Sequence, residues 1–285
     1  MQLYIYAKSG HSFGLENIRR ASALHNMLEN CDPILCSADY RAATFAKAEL
    51  GVKKGVGVDV IGNMPNVMER GDMLIYDDSN EASSTMQSHM KEFCTHLYKV
   101  GTDIPFDIVD NTFFEQVEKT NEKALFFADD DYAEWFFKLI QTGEKQNIPL
   151  IWGHYFFFKN ESKIASYFSE VIEEDGYIDT VKSTNYLLSA SVHTCLESLA
   201  SGNHPVFFQR ADKPVEHRDL LERYNIPCIS EVQTMEELMN SFEQITQNYP
   251  QTNPIEKFDI SKIKKEIEDT IKKFEMIQPS LEYKF

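Results

Sequence analysis

The residues best placed to do chemistry lie between Tyr186 and Phe208. Ser189, Ser191 and Thr194 crowd hydroxyls into one short stretch, and Glu197 follows one helical turn later. The stretch reads as an apolar strand (Tyr186 to Leu188), a small-residue turn (Ser189 to Ser191) and a helix (Val192 to Ser201). A Gly202 stop and a second strand (Val206 to Phe208) follow. Unpaired amides at a helix start point at whatever sits in the preceding turn, so this arrangement suits an anion such as phosphate. Glu197 lies within reach of a ribose, and His193 beside Ser191 is a further candidate ligand contact.

A second set follows the first strand, in Lys8-Ser-Gly-His-Ser-Phe-Gly-Leu-Glu-Asn17. His11 could serve as a general base, and Arg19 or Arg20 could pair with phosphate. The plainer reading is a strand-to-helix loop with exposed charges on the next turn. Gly10 and Gly14 do not form a dinucleotide fingerprint. Asp77 and Asp78 end another strand. Asp77 is read as orienting a sugar hydroxyl or acting as a base, and Asp78 as a cap for the following turn.

Asp129-Asp-Asp131 precedes a helix and has two readings. Paired carboxylates can hold a divalent cation against a diphosphate, and acids at a helix start also cap it and complement its dipole. The capping reading is preferred, and no metal is expected. The same acids would repel a metal-free diphosphate set directly on that loop. His193, Cys195, His204 and Cys228 show no metal-ligand spacing, and no Gly-x-Ser-x-Gly elbow supports a serine hydrolase.

Strands and helices alternate along almost the whole chain, which predicts parallel sheets covered by helices. Strands are expected at 3–7, 33–36, 57–61, 73–76 and 96–100, then at 124–128, 149–153, 186–189, 206–209 and 227–229. Helices are expected at 16–29, 39–50 and 83–94, then at 132–146, 163–173, 194–201, 215–224 and 235–248. The polar stretch from Gly101 to Asn121 marks a junction. The expected division is an N-terminal Rossmann-like domain over 1–105, a linker over 106–121, a nucleotide-binding Rossmann-like domain over 122–250 and a tail over 251–285. The tail carries Ile260, Ile263, Ile267, Ile271 and Phe274 on one helical stripe, with its lysines on the solvated face. Two doubly wound domains facing a cleft would place a ligand at the strand C-terminal ends.

At 285 residues the chain suits two domains, and its 42% hydrophobic content is that of a globular protein. A net charge of −17 argues against coating a nucleic acid, although local donors can still hold a small anion. The opening Met1-Gln-Leu-Tyr-Ile-Tyr6 reads as a strand, not a basic-then-apolar leader. The apolar run Leu150 to Phe158 is too short for a membrane span and contains Gly153 and His154. The five cysteines are odd in number and scattered, as in a reduced protein, so a cytoplasmic location is expected.

The pattern Ser191-x-x-Thr194-x-x-Glu197-Ser-Leu-Ala-Ser-Gly202-x-x-Pro205-Val206 resembles the nucleotide-sugar motif of GT-B glycosyltransferases. Within that superfamily the order of parts is similar to that of the UDP-sugar hydrolases of pseudaminic acid biosynthesis, relatives of the peptidoglycan N-acetylglucosaminyltransferases. Gly14-Leu-Glu-Asn-Ile-Arg-Arg20 resembles their Gly-x-Gly-His-x-x-Arg element. Leu74-Ile-Tyr-Asp77 resembles their strand ending in Asp-His-Tyr, and Leu125 to Asp131 lies where they have an apolar strand and a Gly-Gly-Thr-Asp loop.

The resemblance implies a GT-B-like α/β fold that binds a nucleotide-activated sugar without a metal or other cofactor. Ser191, Thr194 and Glu197 would hold phosphate and ribose, with Ser189, His193, Asn17 and Arg20 around them. A glycan or protein acceptor, for a bacterial surface glycan or flagellin, is implied alongside.

Three positions depart from the pattern. Asn17 stands where the family has its catalytic His, Ser79 replaces the aromatic, and Ala128 and Asp129 replace the glycine pair. Asn17 cannot act as a base near neutral pH. His11, earlier in the same loop, and Asp77 are therefore the candidate catalytic groups. A catalytically silent relative serving as a binding or scaffold subunit is the alternative.

Overall fold

The computed structural model describes residues 1–156 and 160–277. Phe157 and Phe158, the end of the apolar run noted above, lie outside the described residues. By its contacts the chain forms two compact units. Unit 1 comprises Met1–Gly10, Asn17–Ile108 and the chain from Phe258 onward, and unit 2 comprises His11–Glu16 and Val109–Lys257.

In unit 1 the strands are β1 (Leu3–Ala7), β2 (Ile34–Ser37), β3 (Gly55–Gly57), β4 (Met73–Asp77) and β5 (His96–Lys99). Between them run α1 (Glu16–Met27), α2 (Tyr40–Glu49) and α3 (Ser84–Phe93). The sheet is parallel throughout, in the order β3-β2-β1-β4-β5. Every residue of β1 and β4 is buried, as befits central strands covered on both faces. Tyr6, Leu74 and Tyr76 pack with Ile61, Met64 and Met90 on one side of it.

Unit 2 contains β6 (Asn121–Phe126), α4 (Trp135–Ile140), β7 (Leu150–Ile151), α5 (Glu161–Ala165), β8 (Val171–Ile172) and α6 (Tyr177–Ser183). These are followed by β9 (Thr184–Ser189), α7 (Val192–Ala200), β10 (His204–Phe208), α8 (Arg218–Arg223), β11 (Cys228–Ile229) and α9 (Met235–Gln247). Its six strands are parallel in the order β11-β10-β9-β6-β7-β8. Counted within the unit this is the order 3-2-1-4-5-6 read from the far edge, so both units are Rossmann-like α/β sheets. The reversal of strand order falls between β6 and β9. An aromatic core of Phe127, Phe136, Phe168, Phe208 and Phe242 fills this unit.

The last helix, α10 (Ser261–Ile277), belongs to unit 1. Ile263 and Ile267 are buried, Tyr98 donates to Glu266 Oε2 at 2.7 Å, and the His96 ring meets the Thr270 hydroxyl at 2.8 Å. Polar side chains of α10 thus tie the helix to edge strand β5.

Several elements differ from the sequence reading. The expected helix over 163–173 stops at Ala165, because Leu150 and Trp152 amides bond to the Glu170 and Ile172 carbonyls and draw Val171–Ile172 into the sheet. The expected helix over 132–146 narrows to Trp135–Ile140, where Asp131 caps the Phe136 and Phe137 amides. Strand β3 lies two residues earlier than expected, with a 3-10 turn over Ile61–Asn66. Helix α6, rich in β-branched residues, was not anticipated.

Candidate functional site

The loops after β6, β9 and β10 leave the C-terminal edge of the second sheet on either side of its reversal point. A cavity of about 190 Å³ opens there, lined by Ala128–Asp130, Ala190, Val192, Phe207, Arg210 and Lys213. Ser12, Phe13, Gly14 and Glu16, which belong to the same unit, complete its wall. Such an edge is where open parallel sheets bind ligands, since crossover loops separate at the reversal and leave a crevice.

Helix α7 begins at this cavity because Ser191 is a good cap. Its Oγ accepts from the Thr194 amide at 3.1 Å, and Gly202 at φ +72° closes the far end. The Ser191 hydroxyl donates to Glu16 Oε1 at 2.6 Å. Behind it runs a buried chain of polar contacts. Thr194 Oγ1 donates to Ser191 Oγ at 2.9 Å and meets the Tyr177 hydroxyl at 2.8 Å. Tyr177 donates in turn to Glu197 Oε2, and His193 Nε2 lies 3.4 Å from Glu197 Oε1.

Ser189, Ser191, His193, Thr194 and Glu197 are therefore brought together, all at 2% exposure or less. Ser189 accepts from the Ser191 amide at 3.1 Å. Their side chains bond chiefly to one another and to Tyr177, while Ala190 and Val192 line the cavity itself.

The acidic triplet divides among three partners. Asp129 Oδ2 accepts from the Leu15 amide at 2.9 Å, and a Cβ on Gly14 would lie 3.2 Å from that oxygen. Asp130 Oδ1 accepts from Lys213 Nζ at 2.6 Å, with Arg210 Nη1 donating to the Asp130 carbonyl at 2.9 Å. Asp131 caps α4 through two amides, both at 2.9 Å. Burial pushes the Asp131 carboxyl up to about 6 against the pull of those amides. Burial alone would loosen the proton of Arg210, but its hydrogen bond to Asp212 and the charges of Asp130, Asp212 and Asp131 outweigh it, leaving that pKa raised. The acids thus serve as a clamp and a cap. Among the described residues no group of His, Cys, Asp or Glu converges as metal ligands.

Asn17, Arg20 and Asp77 lie together in unit 1, at the C-terminal ends of β1 and β4. Arg20 Nε donates to Asp77 Oδ2 at 2.8 Å and Nη2 donates to Asn17 Oδ1 at 2.5 Å. Asn17 Nδ2 donates to Ser79 Oγ at 2.9 Å, and the Arg20 guanidinium sits 5.5 Å from the Phe106 ring centroid. Asp78 caps the turn by accepting from the Asn80 and Ala82 amides. His11 belongs to unit 2, where its ring lies 5.0 Å from that of Tyr155. The two candidate bases, His11 and Asp77, thus fall in different units.

Sequence reasoning missed Glu16, Arg210 and Lys213. Each sits in a loop or first turn beyond a strand's C-terminal end, and that position was the available signal. The five cysteines are free thiols, and no described helix is long and apolar enough to cross a membrane.

No protein-family model and no curated protein matches the chain. Among solved structures it is similar to E. coli heptosyltransferase WaaC with ADP, at 12% identity and a TM-score of 0.47, over 87% of this chain and 98% of that one. The same enzyme with ADP-2-deoxy-2-fluoro heptose matches at 11% identity and a TM-score of 0.44, over 88% of this chain and 100% of that one. At these values the likeness assigns no residue and no ligand to the chain.

Proposed function

We propose that this chain is a GT-B-like protein that binds a nucleotide-activated sugar in the cavity of unit 2. Its reaction is glycosyl transfer or sugar–nucleotide processing in the cytoplasm, for a bacterial surface glycan or flagellin. The observation that carries this reading is the place of the cavity, at the strand-order reversal of a parallel sheet, with Lys213 and Arg210 on its lining in an otherwise strongly acidic chain. About 190 Å³ is less than the roughly 300–1,000 Å³ of pockets that enclose a whole drug-sized ligand, so the cavity suits one portion of such a molecule.

In this chemistry a base deprotonates the attacking hydroxyl or water, and cationic and amide donors stabilise the departing diphosphate. Lys213, whose side chain is 31% exposed, is the donor an incoming phosphate can reach. His11 shares a loop with the cavity wall, whereas Asp77 is committed to Arg20, so His11 is the favoured base. Glu197, which bonds to Tyr177, shapes the α7 end from behind.

Isothermal titration with UDP-, CMP- and ADP-sugars on the wild type, Lys213→Ala and Glu197→Ala tests the reading. Binding by the wild type that weakens at least about tenfold in Lys213→Ala is expected. Equal binding by all three proteins, or none by any, removes the proposed site.

A second reading, a catalytically silent binding or scaffold subunit, is favoured by Asn17, whose amide is spent on Arg20 and Ser79 and offers no base. It predicts no release of UDP, CMP or ADP from any sugar nucleotide. Release abolished by His11→Ala excludes it.

A further inference from the structure

Two carboxylates on the cavity lining, Glu16 and Asp129, accept hydrogen bonds from donors buried just behind it. Ser191 Oγ, at the start of α7, donates to Glu16 Oε1 at 2.6 Å. The Leu15 amide donates to Asp129 Oδ2 at 2.9 Å, with Gly14 at φ +72° bringing the loop against that side chain. An N-cap hydroxyl and a glycine-loop amide are typical phosphate contacts, and here both are spent on carboxylates of the chain itself. Glu16, Asp129, Asp130 and Glu216 together outnumber Arg210 and Lys213 on the lining.

We propose that Glu16 and Asp129 are specificity-determining residues. They present two carboxylates on the lining at the α7 end of the cavity, so that this end admits an uncharged, hydroxyl-rich group and rejects a phosphoryl group. A sugar hydroxyl can donate to either carboxylate, whereas a phosphate presents only further acceptors and like charge. The inference deepens the proposed function and rests on its assignment of the cavity. The sugar lies against Glu16 and Asp129, and the phosphates lie on the Lys213 side. The selection is geometric as well as electrostatic. Glu16 is held by the Ser191 hydroxyl, and Asp129 by the Leu15 amide.

The probe is inorganic pyrophosphate, titrated calorimetrically into the wild type, Glu16→Gln and the double variant Glu16→Gln/Asp129→Asn. Each amide retains an oxygen to accept from Ser191 or Leu15, so the replacements remove charge and preserve the contacts. Pyrophosphate affinity is expected to rise at least about tenfold in the double variant and by a smaller factor in Glu16→Gln. Unchanged or weaker affinity in the variants, or no binding to any of the proteins, overturns the inference. Thermal unfolding monitors integrity, and if the double variant does not fold, the single variant decides the question.

A gain for pyrophosphate without nucleotide-sugar binding by the wild type would sink the proposed function alone. Nucleotide-sugar binding by the wild type without the pyrophosphate gain would sink this inference alone.

Discussion

The Arg20 guanidinium and the Asp77 carboxylate form an ion pair at 2.8 Å, with both side chains 3% exposed. Each charge is out of water and is compensated by the other, with Asn17 and the Phe106 ring completing the environment of Arg20. Removing one member strands the other. Arg20→Met should cost about 3–5 kcal/mol, whereas Arg20→Met/Asp77→Leu should recover most of the loss. Urea unfolding of both variants measures this; a double variant as unstable as the single one contradicts it.

Gly153 admits no side chain, because a Cβ there would lie 2.2 Å from the Ala128 carbonyl oxygen and 2.8 Å from the Asp129 backbone. The close approach lets the Tyr155 amide reach the Asp129 carbonyl and so sets the acidic loop at the cavity. Gly153→Ala should destabilise the protein by about 3 kcal/mol through overpacking against backbone that cannot yield. A melting temperature equal to that of the wild type would show that the loop gives way.

Burial pushes Asp131 up to about 6 from 3.8. The folded protein then binds this proton more tightly than the unfolded chain, so stability from this group is present at low pH and is lost as pH rises through the window from about 4 to about 6. The wild-type-minus-Asp131→Asn stability difference should fall by about 2 kcal/mol between about pH 4 and about pH 7. Denaturant unfolding across that range supplies the number, and a flat difference refutes it.

Tyr177 joins Thr194 and Glu197 behind α7 through its hydroxyl. Tyr177→Phe leaves His193, at 3.4 Å, as the partner of the buried Glu197 carboxylate among the described residues. The expected cost is about 2 kcal/mol, since a buried acceptor loses its donor. Chemical denaturation reads it out. A loss under half that size would mean that water or a shifted His193 replaces the hydroxyl.

Lys213 is half-buried, and its ion pair with Asp130 spans a cavity open to water. Lys213→Ala should change stability by less than about 1 kcal/mol. The same variant should weaken nucleotide-sugar binding, so ligand affinity and stability separate at this residue. A stability loss matching the binding loss would recast Lys213 as structural.

Much of the architecture is written in local pattern. The apolar runs of β1 and β4, the Ser191 cap and the Gly202 stop are short-range signals, and they locate strands, helices and the loops at the sheet's C-terminal edge. Pairing partners are a different matter. Glu16 meets Ser191 across 175 positions, Leu15 meets Asp129 across 114, and Lys213 meets Asp130 across 83.

No local period encodes such pairs, because they form only when the strand order brings distant loops to one edge. By itself, the sequence determined that hydroxyls and acids would gather at strand ends of parallel sheets. Tertiary structure alone decided that Glu197 is spent on Tyr177, that the acidic triplet splits three ways, and that Glu16 and Asp129 on the cavity lining take up the Ser191 and Leu15 donors behind it. The physical reason is that burial leaves each polar group only the partners that packing supplies.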